Sequence, residues 1–367
     1  MLGGTAVLTN KNQISLRQAL LLFLNILFSS SIRFIPSVTS AKANQAAWLT
    51  PLPSLVILIL FILMLNNIYK KYSASFIDIM YNITGKTISK ILLALYIIWF
   101  QIPIALFLRY YVERILTSIF PNVSTELFLI LLLLLVIYIL PSGIVVIARM
   151  NEIIFVIILL SFLSIVFLSL SKIQISNLTP ISPMDIIPIL KGSVPVTSIW
   201  SYLIYIFFVG DEIKDKERIK KLGLKIAIFL GIVTPVLIAT CIGTLGYSVV
   251  ERAPLPFLSV SKLITIFQSL GRMHSILVVL WVASDFILIS TLIYISLNML
   301  KSFFNLKSIK PFINMYGIFI CFLALLLCNS KFELEAFSSK IASPGNILFG
   351  LVIPVAIFVI GKLRRKI

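Results

Sequence analysis

Residues 127–140 read LFLILLLLLVIYIL, fourteen positions of Leu, Ile and Val broken only by Phe128 and Tyr138. Nothing there alternates polar with apolar, and no charge interrupts the run, so no face is left to meet water. A backbone in lipid finds no hydrogen-bond partner outside itself, and a helix needs about 20 mostly apolar residues to cross. Working outward in both directions, the same texture recurs in ten stretches between Gln13 and Ile360. Spans are expected at 14–43, 51–67, 90–116, 125–146, 152–171, 184–210, 222–248, 273–299, 311–329 and 345–362. Residues 69–89 read as an amphipathic segment on the membrane surface, and 254–270 as a helix leading into the eighth span. The fold class is all-α integral membrane.

Ten spans with short connections use nearly all of the 367 residues, so one transmembrane domain covers 1–367 and no soluble domain is expected. The mean hydropathy of +1.10 and a hydrophobic share of 60% agree. A net charge of +18 would suit nucleic-acid binding only on one soluble face. Here the basic residues sit between apolar stretches, where they set orientation and meet anionic lipid. They crowd the loop Lys214–Lys225 and the tail Lys362–Lys366, which places both termini in the cytoplasm and requires an even number of spans. Lys11 and Arg17 before the apolar run Ala19–Phe28 imitate a signal peptide, with Ala41-Lys42-Ala43 as its cleavage site. The intervening Arg33 and Pro36 make that region too long and too polar, and the segment reads as the first span.

Two spans carry interruptions. In the first, Ser29-Ser30-Ser31 breaks the aliphatic run ahead of Arg33 and Pro36. In the sixth, Pro188, Gly192 and Pro195 punctuate the entry, and Ser198, Trp200, Ser201 and Tyr202 follow. A matched pair of broken helices five spans apart is the sequence pointer to a transporter-type site at the bilayer midplane. Ser198, Ser201, Tyr202 and Tyr205 recur at i, i+3, i+4 and i+7, a hydroxyl and aromatic stripe that reads either as helix–helix glue or as a cavity wall. Ser29, Ser30, Ser31, Ser198, Trp200, Ser201, Tyr202 and Tyr205 are therefore the candidate ligand-binding residues.

Asp285 is the one carboxylate near the centre of a clear span, with Trp281 one turn earlier and His274 and Ser296 eleven residues to either side. An intramembrane charge is costly and faces protein or water. Asp285 reads as a structural acid, a proton or cation coupling group, or a contact to a partner subunit. Arg33 pairs either with a ligand carboxylate or with Glu113 or Glu126, and Arg109 with Glu113 forms an i, i+4 surface pair. No cofactor or metal site is expected, with a single histidine and three cysteines scattered in apolar runs. No phosphate-binding, dinucleotide or catalytic-elbow motif stands in a supporting context, so no enzyme is expected.

The chain resembles a known family. Ile35-Pro36, Thr39-Ser40-Ala41-Lys42-Ala43-Asn44 and Trp48-Leu49-Thr50 carry the likeness after the first span. Gly143-Ile144 with Ala148-Arg149 continue it, then Phe267-Gln268-Ser269, Gly271-Arg272 and Val278-Val279-Leu280-Trp281. In order and spacing these are similar to the permease-like B subunits of spore nutrient-germinant receptors, a branch of the amino acid–polyamine–organocation transporter superfamily. The resemblance implies a five-plus-five inverted-repeat (LeuT-like) fold with broken first and sixth helices. Repeat one would cover about 14–171 and repeat two about 184–329, with a final helix at 345–362. It implies a sensor of an amino acid or similar small nutrient in the spore inner membrane, acting with an A subunit and a lipoprotein C subunit to trigger germination. A proton- or sodium-coupled amino acid permease is the alternative. The chain departs from the family where glycine would stand in the first break, where Gly and Glu would stand near Ser201-Tyr202-Leu203-Ile204, and at Arg33 and His274. These departures leave the ligand unnamed.

Overall fold

The computed structural model describes residues 13–118, 120, 122–264, 273–328 and 330–367, with the side chains of 273–276 outside that description. Among the described residues, ten helices are long and apolar enough to cross a membrane. They are Leu16–Leu49, Pro51–Lys71, Lys86–Ser118, Thr125–Ser142, Ile144–Lys172, Pro183–Glu212, Lys216–Leu245, Leu277–Phe304, Lys310–Leu327 and Lys331–Leu363, taken below as the first to tenth spans. The tenth begins earlier than expected. It stays helical past Glu333 and Glu335 and absorbs Pro344 and Gly345 between two π-helical stretches, Ser338–Ala342 and Leu348–Val352.

Burial separates the spans by role. In the most apolar window of the first and sixth spans, 89% of residues are buried, and 72% in the eighth, against 28% in the fifth, ninth and tenth. Spans one, six and eight are the interior. The others present leucine, isoleucine and phenylalanine outward, as at Leu134, Phe167 and Phe322, where lipid rather than water receives them.

The first span corrects one expectation. Its α-helix runs unbroken from Leu16 to Ala43, straight through Ser29-Ser30-Ser31, with Pro36 inside it. Serine need not unwind a helix when its hydroxyl returns to the preceding turn, and Ser30 Oγ donates to the Ile26 carbonyl at 2.9 Å. Thr39 Oγ1 does the same to Ile35 at 2.7 Å. The entry is fixed by Ser15, which caps the helix in a reciprocal capping box with Gln18.

The sixth span does change character. It is α-helical from Ile186 to Trp200, then 3-10 from Ser201 to Glu212, with a non-helical kink at Val209. Just beyond, Ile213–Lys214 pairs in parallel with Ile14–Ser15 and ties the end of the sixth span to the start of the first. The Lys216 ammonium, buried at 8% exposure, donates to the Gly210 carbonyl at 2.6 Å and also to the carbonyl of Ser73.

The expected surface segment is a short helix, Phe76–Thr84, capped by Ser75 and ended by Gly85 at φ 86°. It is not a free surface element. Phe76, Ile77, Ile79, Met80 and Ile83 are buried, Phe76 lies 5.4 Å from Phe208 of the sixth span, and Arg364 donates to the Ile83 carbonyl. Its strongly one-sided apolar face packs on protein. Of the expected helix at 254–270, Pro256–Leu263 is helical, and 265–270 lie outside the described residues.

Candidate functional site

The first and eighth spans meet along one polar seam. Asn25 and Ser29 are one turn apart on the first span and face Ser284 and Asp285 on the eighth. Asn25 Nδ2 donates to the Ser284 carbonyl at 3.0 Å, and Ser284 Oγ returns a bond to Asn25 Oδ1 at 2.7 Å. Ser29 Oγ donates to Asp285 Oδ1. One turn further, Arg33 Nε donates back to the Ser29 carbonyl at 2.6 Å, and its Nη2 stands 3.8 Å from Asp285 Oδ1.

A second arginine arrives from the third span. Arg114 Nη2 lies 2.8 Å from Asp285 Oδ2, off the line of a hydrogen bond. Arg33 and Arg114 are each 2% exposed and Asp285 1%. Two guanidiniums therefore share one carboxylate in the protein interior, leaving one surplus positive charge. Aromatic faces surround them: Arg33 Cζ is 5.6 Å from the Phe107 ring and 5.5 Å from Tyr110, and Arg114 Cζ is 5.2 Å from Trp281. Such stacking contributes about 0.5–2 kcal/mol per contact, well short of the several kcal/mol each buried ion loses in hydration. Arg33 Nη1 and Nη2 and Arg114 Nε and Nη1 have no hydrogen-bond partner among the described residues.

This corrects the expectation for Arg33, whose ion-pair partner is Asp285 and neither Glu113 nor Glu126. Glu113 pairs with Arg109 at 3.6 Å, as the i, i+4 spacing indicates. Arg114 was not singled out from sequence. Its one available signal is negative: no acid stands three or four residues away on its own helix, so a buried partner has to come from elsewhere.

The sixth-span candidates divide among three neighbours. Tyr202 sets its ring edge-on to Phe107 at 5.8 Å and to Tyr205 at 5.2 Å, and Tyr205 packs edge-on to Phe100 at 4.8 Å. Phe107 thus links Tyr202 to Arg33. Ser201 turns to the tenth span, donating to the Asn346 carbonyl at 2.9 Å and to Ser198's carbonyl at 2.7 Å. Trp200 faces the second span, lining a small cavity with Ser54, Leu58, Phe61 and Thr197. Ser198 is buried at 2% exposure. On the first span, Ser30 is spent on its own helix, and Ser31 opens onto a small cavity with Phe28, Phe162, Leu230 and Thr234. Of the candidates, Ser29, Asp285 and Tyr202 gather around Arg33 and Phe107. Ser296 belongs to a separate network, accepting from Gln101 Nε2 at 3.1 Å and bonded to the Tyr316 hydroxyl at 2.7 Å. The His274 side chain lies outside the described residues.

Chemically, the seam can hold charge and exchange hydrogen bonds between two helices, and it has the donors to grip an anion. Among the described residues, no group of three His, Cys, Asp or Glu side chains converges as a metal site.

Residues 13–332 match the model of a family described as spore germination protein. Spore germination protein KB of Bacillus subtilis (strain 168) is 24% identical over 362 residues, covering 97% of this chain and 96% of that protein. Spore germination protein YndE of the same organism is 25% identical over 366 residues, covering 97% and 98%. Among solved structures, the substrate-bound outward-open state of a Na+-coupled sialic acid symporter superposes with a TM-score of 0.64 at 13% identity, over 93% of this chain and 79% of that one. The ten spans therefore adopt a LeuT-like transporter fold.

Proposed function

Because the chain belongs to the spore germination protein family, we propose that it is the multi-pass membrane subunit of a nutrient-germinant receptor. It binds an amino acid or similar small nutrient within the bundle and uses the transporter fold as a sensor. The observation that carries this reading is the buried seam between the first and eighth spans, where Ser29, Arg33 and Asp285 meet Arg114. Interior charges inside a membrane protein mark functional sites by default, because a purely structural bundle is more cheaply held by apolar packing. Small-molecule sites of this fold lie near the bilayer midplane at the repeat interface, and the kinked sixth span reaches this seam through Tyr202 packed on Phe107, the ring beside Arg33.

In this reading the subunit sits in the spore inner membrane with both termini in the cytoplasm, assembled with an A subunit and a lipoprotein C subunit. Spores lacking the chain would fail to germinate on the nutrients it recognises, and a plasmid copy would restore the response. Unaltered germination on every nutrient that wakes the wild type sinks the proposal.

A second reading, a cation-coupled amino acid permease, draws support from the solved neighbour, a Na+-coupled symporter. Uptake of labelled amino acids by vesicles carrying the purified chain, dependent on a sodium or proton gradient, would favour it over the sensor.

A further inference from the structure

We infer that Arg33 and Arg114 form a binding site for a small carboxylate, with Asp285 as the protein's own carboxylate in the same cradle. The inference rests on the sensor reading only in taking this carboxylate to belong to the nutrient. The site itself is argued from charge and geometry.

Two guanidiniums face a single acid among the described residues, and the balance is one positive charge in excess of neutral. No other carboxylate pairs with either arginine among the described residues. Glu113, the nearest acid in sequence to Arg114, is held by Arg109. The protein also leaves donors over. Both terminal nitrogens of Arg33, and Nε and Nη1 of Arg114, are enclosed and make no hydrogen bond to any described residue. Each such donor would be satisfied by an acceptor oxygen, and a guanidinium edge presents two parallel N–H groups at the spacing of a carboxylate's oxygens. Arg33 holds Asp285 loosely, at 3.8 Å, so its free edge can take a second carboxylate without first giving up a formed bond.

The walls set the size of the ligand. Phe107, Tyr110 and Trp281 lie against the guanidiniums and exclude bulk water. The cradle therefore suits the carboxylate end of a compact molecule. Because Ser29 and Asp285 join the first span to the eighth, an arriving carboxylate competes with Asp285 for the arginines. It thereby weakens a contact between two interior helices, and binding is read out as helix movement.

The test uses the full chain, purified in detergent in chloride-free buffer, with thermal unfolding followed by tryptophan fluorescence. Acetate and propionate are the probes, with acetamide and propionamide as neutral isosteres and chloride as the inorganic alternative. The carboxylates should raise the melting temperature saturably, the amides should not, and chloride should need at least tenfold higher concentration. Arg114→Gln leaves Arg33 and Asp285 in balance, keeps the fold and should weaken the acetate response at least tenfold. Asp285→Asn removes the internal competitor and should strengthen it about tenfold, whereas a merely structural Asp285 would give no gain. Equal stabilisation by amides or by chloride overturns the inference, as does an undiminished acetate response in Arg114→Gln. Spores that need the chain for germination, combined with no carboxylate response, would refute this site and leave the sensor reading intact. A carboxylate response in a chain dispensable for germination would do the reverse.

Discussion

Asn25 and Ser284 hold each other by two hydrogen bonds, the amide of one giving to the backbone of the other and the hydroxyl of the second giving back. Two helices whose partner residues are 259 apart in sequence are thereby locked in register beside the Ser29–Asp285 contact of the Arg33–Asp285–Arg114 cluster. Both partners are buried, so breaking the pair strands polar groups away from water. Asn25→Ala should cost about 1–3 kcal/mol, the desolvation penalty for unmet buried groups. It should lower the melting temperature of the purified protein, while Asn25→Gln should do no better because its longer arm cannot keep both bonds. A variant as stable as the wild type would show the two helices are held by packing alone.

The charge cluster allows a sharper test. Removing one partner from a buried ion pair costs about 3–5 kcal/mol because the other is left uncompensated, whereas removing both can be near neutral. Asp285→Ala should therefore destabilise strongly, leaving two guanidiniums unmatched. Arg114→Gln should be mild. Combining Arg114→Gln with Asp285→Ala leaves one arginine instead of two and should recover part of the loss. A double-mutant cycle measured by thermal unfolding checks the sign. Strict additivity would mean Arg114 and Asp285 do not interact, despite their 2.8 Å separation.

The number and order of the spans were legible because lipid allows the backbone one solution and the composition announces it. The change of helix type in the sixth span was legible in part: it comes at Ser201, among the hydroxyls, while Pro188, Gly192 and Pro195 lie inside an unbroken α-helix. The first-span break was not present: Ser30 returns its hydroxyl to Ile26, and a run of serines looks the same on paper whether it unwinds or back-bonds. The stripe at Ser198, Ser201, Tyr202 and Tyr205 was correct as a spacing. It split because its second half is 3-10, where i and i+3 eclipse and the four residues no longer share one α-helical face. Arg114 was invisible because its partner lies 171 residues away, and no periodicity reports such a distance. For Arg33 the sequence gives depth but not direction around the helix, so it offered a ligand carboxylate or the outer acids Glu113 and Glu126 and did not reach Asp285.

At the junction of the sixth and tenth spans, Gly350 is required by contact rather than by backbone conformation. A Cβ built there would lie 2.4 Å from Ser201 Oγ, 2.7 Å from its Cβ and 2.8 Å from its carbonyl oxygen. Two of those atoms cannot swing away, since Ser201 sits where the helix changes type and is bonded to Asn346. Gly350→Ala should cost about 1–3 kcal/mol by overpacking, read as a lower melting temperature. Ser201→Gly in the same chain should relieve part of it. A stable Gly350→Ala protein would mean the tenth span is free to slide on the sixth.

The last test concerns orientation, and the structure narrows what it has to decide. Lys216 donates to the carbonyl of Ser73, and the Tyr72 hydroxyl donates to the carbonyl of Lys366 at 2.8 Å. The basic 214–225 loop, the connection after the second span and the basic tail therefore share one end of the bundle. The positive-inside rule assigns such an end to the cytoplasm. A reporter fused after Lys366 and another inserted at 219–221 should both report a cytoplasmic location. Insertions near Asn44 and near Lys331, separated from that end by one span each, should be external. The first pair must agree whichever side it occupies, because the hydrogen bonds above join them. If the two disagree, the ten-span architecture is wrong. If they agree but are external, the architecture stands and the charge rule has been inverted for this chain.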